Sequence, residues 1–135
     1  MTQLIKNAFL VNEGKTTQQD LRIQDGKILT IAEHLAPLEN EEVVDAAGKY
    51  LLPGLIDDQV HFREPGLTQK ACIKTESRAA VAGGITSFIE MPNTVPQTTT
   101  LEKFDEKLAI AKENSLANYS FMFGGTNDNF DEIQR

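Results

Sequence analysis

Cysteine, basic clusters and long apolar runs are scarce in this sequence, and each scarcity excludes a class of protein. The 135 residues contain one cysteine, Cys72, which excludes an internal disulfide framework. No apolar run approaches the roughly 20 residues that a membrane-spanning helix needs. The N-terminal residues have neither the apolar segment nor the small-residue cleavage site of a secretion signal, so we expect a cytoplasmic protein without membrane contact.

The charge balance argues against nucleic acid as a partner. The formal net charge is −7, and the 13 lysines and arginines form no cluster that could neutralise phosphates. The sequence also lacks a G-x-G-x-x-G motif, so no dinucleotide site is expected. A hydrophobic content of 40% and a charged content of 24% are typical of a folded globular domain.

Residues 1–50 have the pattern of a small β-sheet. The β-favouring runs are Leu4–Val11, Asp20–Ile23, Gly26–Ile31 and Val43–Asp45. Asp25-Gly26 separates two of these runs, and Asp-Gly between apolar runs predicts a hairpin turn. Four short strands predict a small sheet or half-sandwich whose edges have to be covered.

Residues 51–135 alternate between strand and helix patterns. The predicted strands are Leu51–Val60, Ile85–Met91 and Asn118–Phe123, and the predicted helices are Cys72–Ala82, Thr100–Asn114 and Asp128–Arg135. This alternation predicts an α/β fold with a parallel sheet and right-handed helical crossovers. Three strands fall short of a (β/α)8 barrel of ~250 residues. The pattern therefore fits either a small open sheet or, because the last predicted helix has no cap, the opening segment of a longer chain.

The densest cluster of chemically active side chains is Asp57–Gly66, at the end of the first predicted strand. Alternate residues of a strand share a face, so we expect Gln59, His61 and Arg63 to point the same way. A neutral imidazole there can bind zinc, and a guanidinium can bind a carboxylate in bidentate fashion. The alternative is a surface turn in which Arg63 pairs with Glu64.

Other polar positions carry weaker signals. Glu90–Thr94 ends the second strand, where Asn93 offers donors and acceptors to a polar ligand or only forms a loop. Gly124–Gly125 fits close backbone approach to a ligand or a plain turn. We expect His34 to be structural or exposed, and Cys72 to be a small helix residue instead of a nucleophile.

The run LLPGLIDDQVHFREPG, followed by TESRAAVAGGITSFIEMPNT, resembles the dihydroorotase branch of the amidohydrolase superfamily. The resemblance is close from Val43 to Gln97 and holds in outline for the whole chain. It implies a metal-bearing (β/α)8 barrel whose N-terminal strands form a small β-sandwich with strands that follow the barrel. Residues 1–50 would then be the sandwich portion, and residues 51–135 the first three β/α units of an incomplete barrel.

The resemblance also implies a reaction and its site residues. The family catalyses the reversible cyclisation of N-carbamoyl-L-aspartate to L-dihydroorotate in pyrimidine biosynthesis, and we expect a homo-oligomer. Its first barrel strand ends in Asp-x-His-x-His-x-Arg, where the histidines bind one or two zinc ions. His61 matches a metal ligand, Arg63 and Asn93 match the groups that bind the substrate carboxylate, and Asp57 matches the family's aspartate beside the metal.

One position departs from the family pattern, because Gln59 replaces the first histidine. The general base and the other metal ligands of the family come from later strands, so we expect no turnover by these 135 residues alone. Gln59 leaves three interpretations: one metal with altered ligands, a metal held by later strands, or a non-catalytic relative that partners aspartate transcarbamoylase. A hydantoinase or an allantoinase is a further alternative, which Arg63 and Asn93 disfavour. The last alternative is an unrelated α/β binding domain.

Overall fold

A computed structural model describes residues 1–135, and the chain divides into two compact units, Met1–Pro53 and Gly54–Arg135. The N-terminal unit contains strands β1 (Thr2–Asn12), β2 (Lys15–Gln24), β3 (Lys27–Ala32), β4 (Glu42–Asp45) and β5 (Tyr50–Leu51). The C-terminal unit contains β6 (Leu55–Val60), α1 (Ile73–Ala82), β7 (Ile85–Glu90), α2 (Leu101–Asn114), β8 (Asn118–Phe121) and α3 (Phe130–Ile133). None of the three helices has the length and apolar character needed to cross a membrane.

The N-terminal unit is one five-stranded sheet in the order β3-β2-β1-β4, with β5 also pairing with β1. β1, β2 and β3 are antiparallel neighbours, whereas β4 and β5 run parallel to β1. The predicted hairpin at Asp25-Gly26 is confirmed, since both residues have the positive φ angles (50° and 75°) of a type I′ turn. β1 and β2 span 11 and 10 residues, so they are longer than the short strands expected.

The prediction of one buried strand over Leu51–Val60 was wrong. Tyr50–Leu51 pairs with β1, whereas Leu55–Val60 pairs with β7. Pro53 lies between them and has no N–H to donate, so a continuous ladder cannot run through this segment. Leu55 is 58% exposed, and the strand is buried only at its end, at Val60.

The C-terminal unit is a parallel sheet in the order β6-β7-β8, with α1 and α2 connecting consecutive strands. The first two predicted helices, Cys72–Ala82 and Thr100–Asn114, are confirmed to within a residue. Thr100 caps α2 by accepting a hydrogen bond from the N–H of Lys103. Cys72 caps α1 without a side-chain bond, and the Glu64 carboxylate instead accepts the N–H of Ile73 at 2.8 Å. The first turn of α1 is thus anchored to the loop that follows β6.

The final predicted helix, Asp128–Arg135, shortens to the single turn α3. Polar side chains hold this turn in place: Asn129 donates to the carbonyl oxygen of Thr99, and the Glu132 carboxylate accepts the N–H of Leu101. A single helical turn is marginal by itself even with its backbone hydrogen bonds, so these contacts with the start of α2 help to fix its position.

Aromatic side chains make the core between the parallel sheet and the helices. The Phe88 ring lies 4.5 Å from the Phe62 ring and 6.5 Å from the Tyr119 ring, measured between centroids. Phe88 is 1% exposed, and full burial of such a side chain contributes about 1.5–3 kcal/mol. The buried cluster comprises Val60, Phe62, Ile73, Phe88, Ala111, Ala117 and Phe121.

The loop after β6 is held tightly against the loop after β7. The N–H of Val95 donates to the carbonyl oxygen of Pro65 at 3.2 Å. Gly66 has a φ of 81°, and a Cβ atom at this position would clash with the carbonyl oxygen of Val95. Only glycine combines this backbone conformation with such a close approach.

A buried carboxylate shapes the N-terminal sheet. Asp20 is 1% exposed and accepts the N–H groups of Asn7, at 2.8 Å, and Leu35, at 2.9 Å. Asn7 has a φ of 56° and lies within the register shift of β1, where ladder bonds are lost. Burial acts to raise the pKa of Asp20, but these hydrogen bonds and the charge of Lys6 hold the pKa below its ordinary value.

We expect Asp20→Ala to reduce the free energy of unfolding by about 1–3 kcal/mol, because two backbone N–H groups lose their acceptor. The folded pKa lies below the ordinary value of 3.8, so the carboxylate's contribution is present at neutral pH and is lost as the pH falls through the folded pKa. Urea unfolding at pH 7 measures the stability lost in Asp20→Ala, and the same measurement at pH 3 shows how far the difference from wild type shrinks at low pH. Glu39→Ala, at an exposed position, is the control, and an equal loss in both variants would contradict the role of Asp20.

We expect Gly66→Ala to destabilise the C-terminal unit more than Gly84→Ala. Gly84 also has a positive φ, 90°, but a Cβ there meets nothing within 4 Å. Gly84→Ala should therefore cost about 1–2 kcal/mol of backbone strain, and Gly66→Ala about 1–3 kcal/mol more from the clash. Thermal unfolding of the two variants gives the comparison, and equal melting temperatures would show that the loops are not tightly docked.

Candidate functional site

The ends of β6 and β7 lie side by side. Val60 is paired with Glu90 in the parallel register, and the N–H of Met91 donates to the carbonyl oxygen of Val60 at 3.0 Å. Residues that follow the two strands therefore emerge at the same edge of the sheet. In open α/β sheets this carboxyl edge is where ligands bind.

His61 and Asn93, which follow β6 and β7, meet at this edge. His61 Nδ1 lies 3.0 Å from Asn93 Oδ1, and both residues are exposed. A carbonyl oxygen can only accept, so this contact places the ring proton of neutral His61 on Nδ1. The lone pair of Nε2 is then free to bind a ligand, and the Nδ2 amino group of Asn93 is free to donate.

Arg63 is placed differently from the prediction. The strand ends at Val60, and Arg63 has a φ of 70°, so the strand alternation that would align it with Gln59 and His61 does not reach it. The alternative pairing with Glu64 is also absent from the ion pairs of the chain, and the Glu64 carboxylate instead accepts the N–H of Ile73 at the start of α1. The half-buried Arg63 takes part in none of the four ion pairs of the chain, so its guanidinium is free to bind an anion.

The remaining candidate residues do not complete a metal site. Gln59 is exposed, and its backbone N–H donates to Asp57 Oδ1 at 3.1 Å. No three His, Cys, Asp or Glu residues of the chain are grouped as ligands for a metal ion. Zinc takes roughly three or four protein ligands, so His61 with its neighbours in residues 1–135 does not fit zinc by itself.

Three weaker candidates make no ligand site of their own. His34 is exposed in the N-terminal unit, and half-buried Cys72 lies 3.4 Å from the hydroxyl oxygen of Thr75. The N–H of Gly124 donates to the carbonyl oxygen of Thr98 at 2.7 Å, so the close backbone approach at this glycine is to Thr98.

Two buried charges beneath the site escaped the sequence reasoning. Glu90 and Lys107 are each 1% exposed, and Lys107 Nζ lies 3.1 Å from Glu90 Oε2. The other oxygen, Oε1, accepts the N–H of Arg63 at 2.9 Å. Two signals could have found the pair: Glu90 follows Phe88 by two residues on β7, and Lys107 lies three residues after Phe104 on the apolar face of α2.

Burial dominates the ionisation of this pair. Burial raises the pKa of the Glu90 carboxyl, while the charge of Lys107 and the N–H groups of Arg63 and Phe62 act in the opposite direction. Burial lowers the pKa of the Lys107 ammonium, and the charge of Glu90 opposes that shift. Each charge thus offsets part of the cost of burying the other.

Known proteins similar to this chain are hydrolases of cyclic amides. The allantoinase of Desulfitobacterium hafniense strain Y51 is 40% identical over 131 residues, which are 96% of this chain and 29% of that protein. The dihydroorotase of Bacillus pumilus is 43% identical over 116 residues, or 85% of this chain and 27% of that protein.

Solved structures agree with this relationship. The L-hydantoinase (dihydropyrimidinase) from Arthrobacter aurescens superposes with a TM-score of 0.93 at 34% identity, over 98% of this chain and 30% of that one. The chain thus spans about 30% of the length of the relatives that it matches. Residues 48–125 match the family model described as dihydro-orotase-like. The chain belongs to the dihydroorotase-like family, among the cyclic amidohydrolases.

Proposed function

We propose that the natural protein is a dihydroorotase, which interconverts N-carbamoyl-L-aspartate and L-dihydroorotate. The observation that carries the proposal is the Arg63 guanidinium, which has no carboxylate partner in the chain and follows the strand end where His61 meets Asn93. A free guanidinium is suited to a substrate with a ring carboxylate, because its planar fork binds that group in bidentate fashion.

The three side chains would divide the work of substrate binding. Arg63 would bind the carboxylate, and the free Nδ2 of Asn93 would donate a second hydrogen bond to it, while Oδ1 stays on His61. The substrate would be held in one orientation, which lowers the entropic cost of reaching the transition state. Hydrolysis adds water across the ring amide: the C–N bond breaks, the carbon gains oxygen and the nitrogen gains a proton.

The chain spans about 30% of its relatives' length, so several parts of this proposal concern residues beyond it. We propose that β6, β7 and β8 are the first three strands of a (β/α)8 barrel and that the N-terminal sheet is part of a β-sandwich. Any further metal ligands and the general base would come from other strands of that barrel. A zinc requirement, a homo-oligomeric state and a cytoplasmic location belong to the same proposal.

A second candidate is an allantoinase or a hydantoinase. It is supported by the 40% identity to an allantoinase over 96% of the chain and by the TM-score of 0.93 to an L-hydantoinase. Such an enzyme would also cleave a cyclic amide, in a five-membered ring. The substrate's ring carboxylate separates this candidate from the first, because a ring without a carboxylate leaves Arg63 without its partner.

A third candidate is a non-catalytic protein that partners aspartate transcarbamoylase, and Gln59 is the observation that favours it. An amide oxygen is a poor zinc ligand beside an imidazole. This candidate keeps the fold and the carboxylate-binding residues but has lost turnover.

We expect the natural full-length protein to hydrolyse dihydroorotate faster than allantoin or hydantoin. Arg63→Gln should raise the KM for dihydroorotate about 10- to 100-fold, through the loss of a charge-assisted bond of about 1.5–3 kcal/mol. The KM for hydantoin, which has no carboxylate, should not change. Arg78→Gln, at an exposed position on α1, is the matched control. Faster allantoin hydrolysis that is insensitive to Arg63→Gln would favour the second candidate.

Gln59→His separates the enzyme from the non-catalytic partner. If the protein is an enzyme, we expect wild-type turnover with zinc present, and Gln59→His should raise the bound zinc measured by elemental analysis. A protein with no turnover, which binds aspartate transcarbamoylase in sedimentation experiments before and after the substitution, would support the third candidate.

A further inference from the structure

Glu90 and Lys107 are buried charges that the proposed reaction does not use. Glu90 shares the buried face of β7 with Phe88, and Lys107 reaches it from α2. His61 and Asn93, in contrast, are exposed. The ion pair therefore lies in the core beneath the site and not among the groups that a substrate would touch.

The pair connects the two chain segments that carry the site. On one side, Glu90 Oε1 accepts the backbone N–H of Arg63 at 2.9 Å. On the other side, Lys107 Nζ donates to the backbone carbonyl oxygen of Met91 at 3.3 Å. With 3.1 Å between Nζ and Glu90 Oε2, the two charges form a bridge from the loop after β6 to the end of β7.

The bridge is itself held in place by its surroundings. Lys107 Nζ lies 4.8 Å from the centroid of the buried Phe121 ring, a cation–π contact that limits where the ammonium can move. Met91 is fixed from its other side, because its N–H donates to the carbonyl oxygen of Val60. Each end of the bridge thus contacts backbone groups within two residues of His61 or Asn93.

We propose that Glu90 is a positioning residue, which fixes the Arg63 backbone relative to the end of β7 so that a cyclic substrate's carboxylate can be bound, and that Lys107 offsets the charge of the buried Glu90 carboxylate. This inference rests on the proposed function. Desolvation largely offsets the attraction within a buried ion pair, so its main contribution here is geometry and not stability.

Two matched double variants test the Glu90 half of the bridge. Glu90→Leu/Lys107→Met removes both charges and the acceptor for the Arg63 N–H. Glu90→Gln/Lys107→Met removes both charges but keeps an amide oxygen in reach of that N–H. Leucine and glutamine differ little in size, so the two variants differ mainly in the hydrogen bond to Arg63.

We expect both variants of the natural full-length protein to unfold at similar temperatures. The leucine variant should lose about 100-fold in kcat/KM for dihydroorotate, since a misplacement of about 1 Å can cost this much. The kcat/KM of the glutamine variant should stay within about threefold of the wild-type value, because the amide oxygen at residue 90 still accepts the N–H of Arg63. Hydrogen exchange of residues 61–66, followed by mass spectrometry, should accelerate only in the leucine variant.

Equal exchange in the two variants would overturn the proposal, and so would equal activity. The exchange measurement needs no substrate, which separates this inference from the proposed function. A wild type that hydrolyses no cyclic amide would refute the proposed function, and the exchange comparison would still decide whether Glu90 fixes the Arg63 loop.

Discussion

The parallel pairing of β6 with β7 is the constraint on which the site depends. The register places Val60 opposite Glu90, and it sets the positions from which the two following loops begin. A slip of one residue would shift one strand by roughly 3.3 Å and turn its side chains to the other face of the sheet. The 3.0 Å contact between His61 and Asn93 could not survive that change. Packing of Phe88 against Phe62 fixes the same register from the core side.

Two adjacent residues after β6 have different roles, one at the candidate site and one in the core. Phe62 is buried in the aromatic core, and its neighbour His61 is exposed at the edge of the sheet. The packing of Phe62 therefore fixes the backbone from which the His61 side chain projects, because Phe62 cannot rotate without losing its contact with Phe88. Glu90 extends the same principle to the next residue, since its hydrogen bond to the Arg63 N–H holds the backbone where the strand has already ended.

Local signals in the sequence predicted most elements of the fold. The Asp25-Gly26 hairpin and the bounds of α2 depend mainly on neighbouring residues, so their patterns can be read directly. The sequence also placed His61 and Asn93 after the first two strands of a parallel sheet, whose carboxyl ends share an edge, but it did not predict the contact between them. The features that could not be predicted depend on where strands stop and which partners they meet. The alternation expected for Arg63 was extended past the strand end at Val60, and Arg63 has a φ of 70°, which lies outside the extended range of a regular strand.

The same distinction applies to Gln59. Its contact with Asp57 uses the backbone N–H of residue 59 and one carboxylate oxygen, so the local turn does not depend on the side chain at that position. A histidine and a glutamine can therefore occupy the position with the same backbone. The exposed side chain of residue 59 then decides ligand chemistry without deciding the fold, because no hydrogen bond of the structure uses it. The proposed carboxylate binding through Arg63 and the proposed metal binding beside His61 would thus be physically separable, and one could be lost while the other is kept.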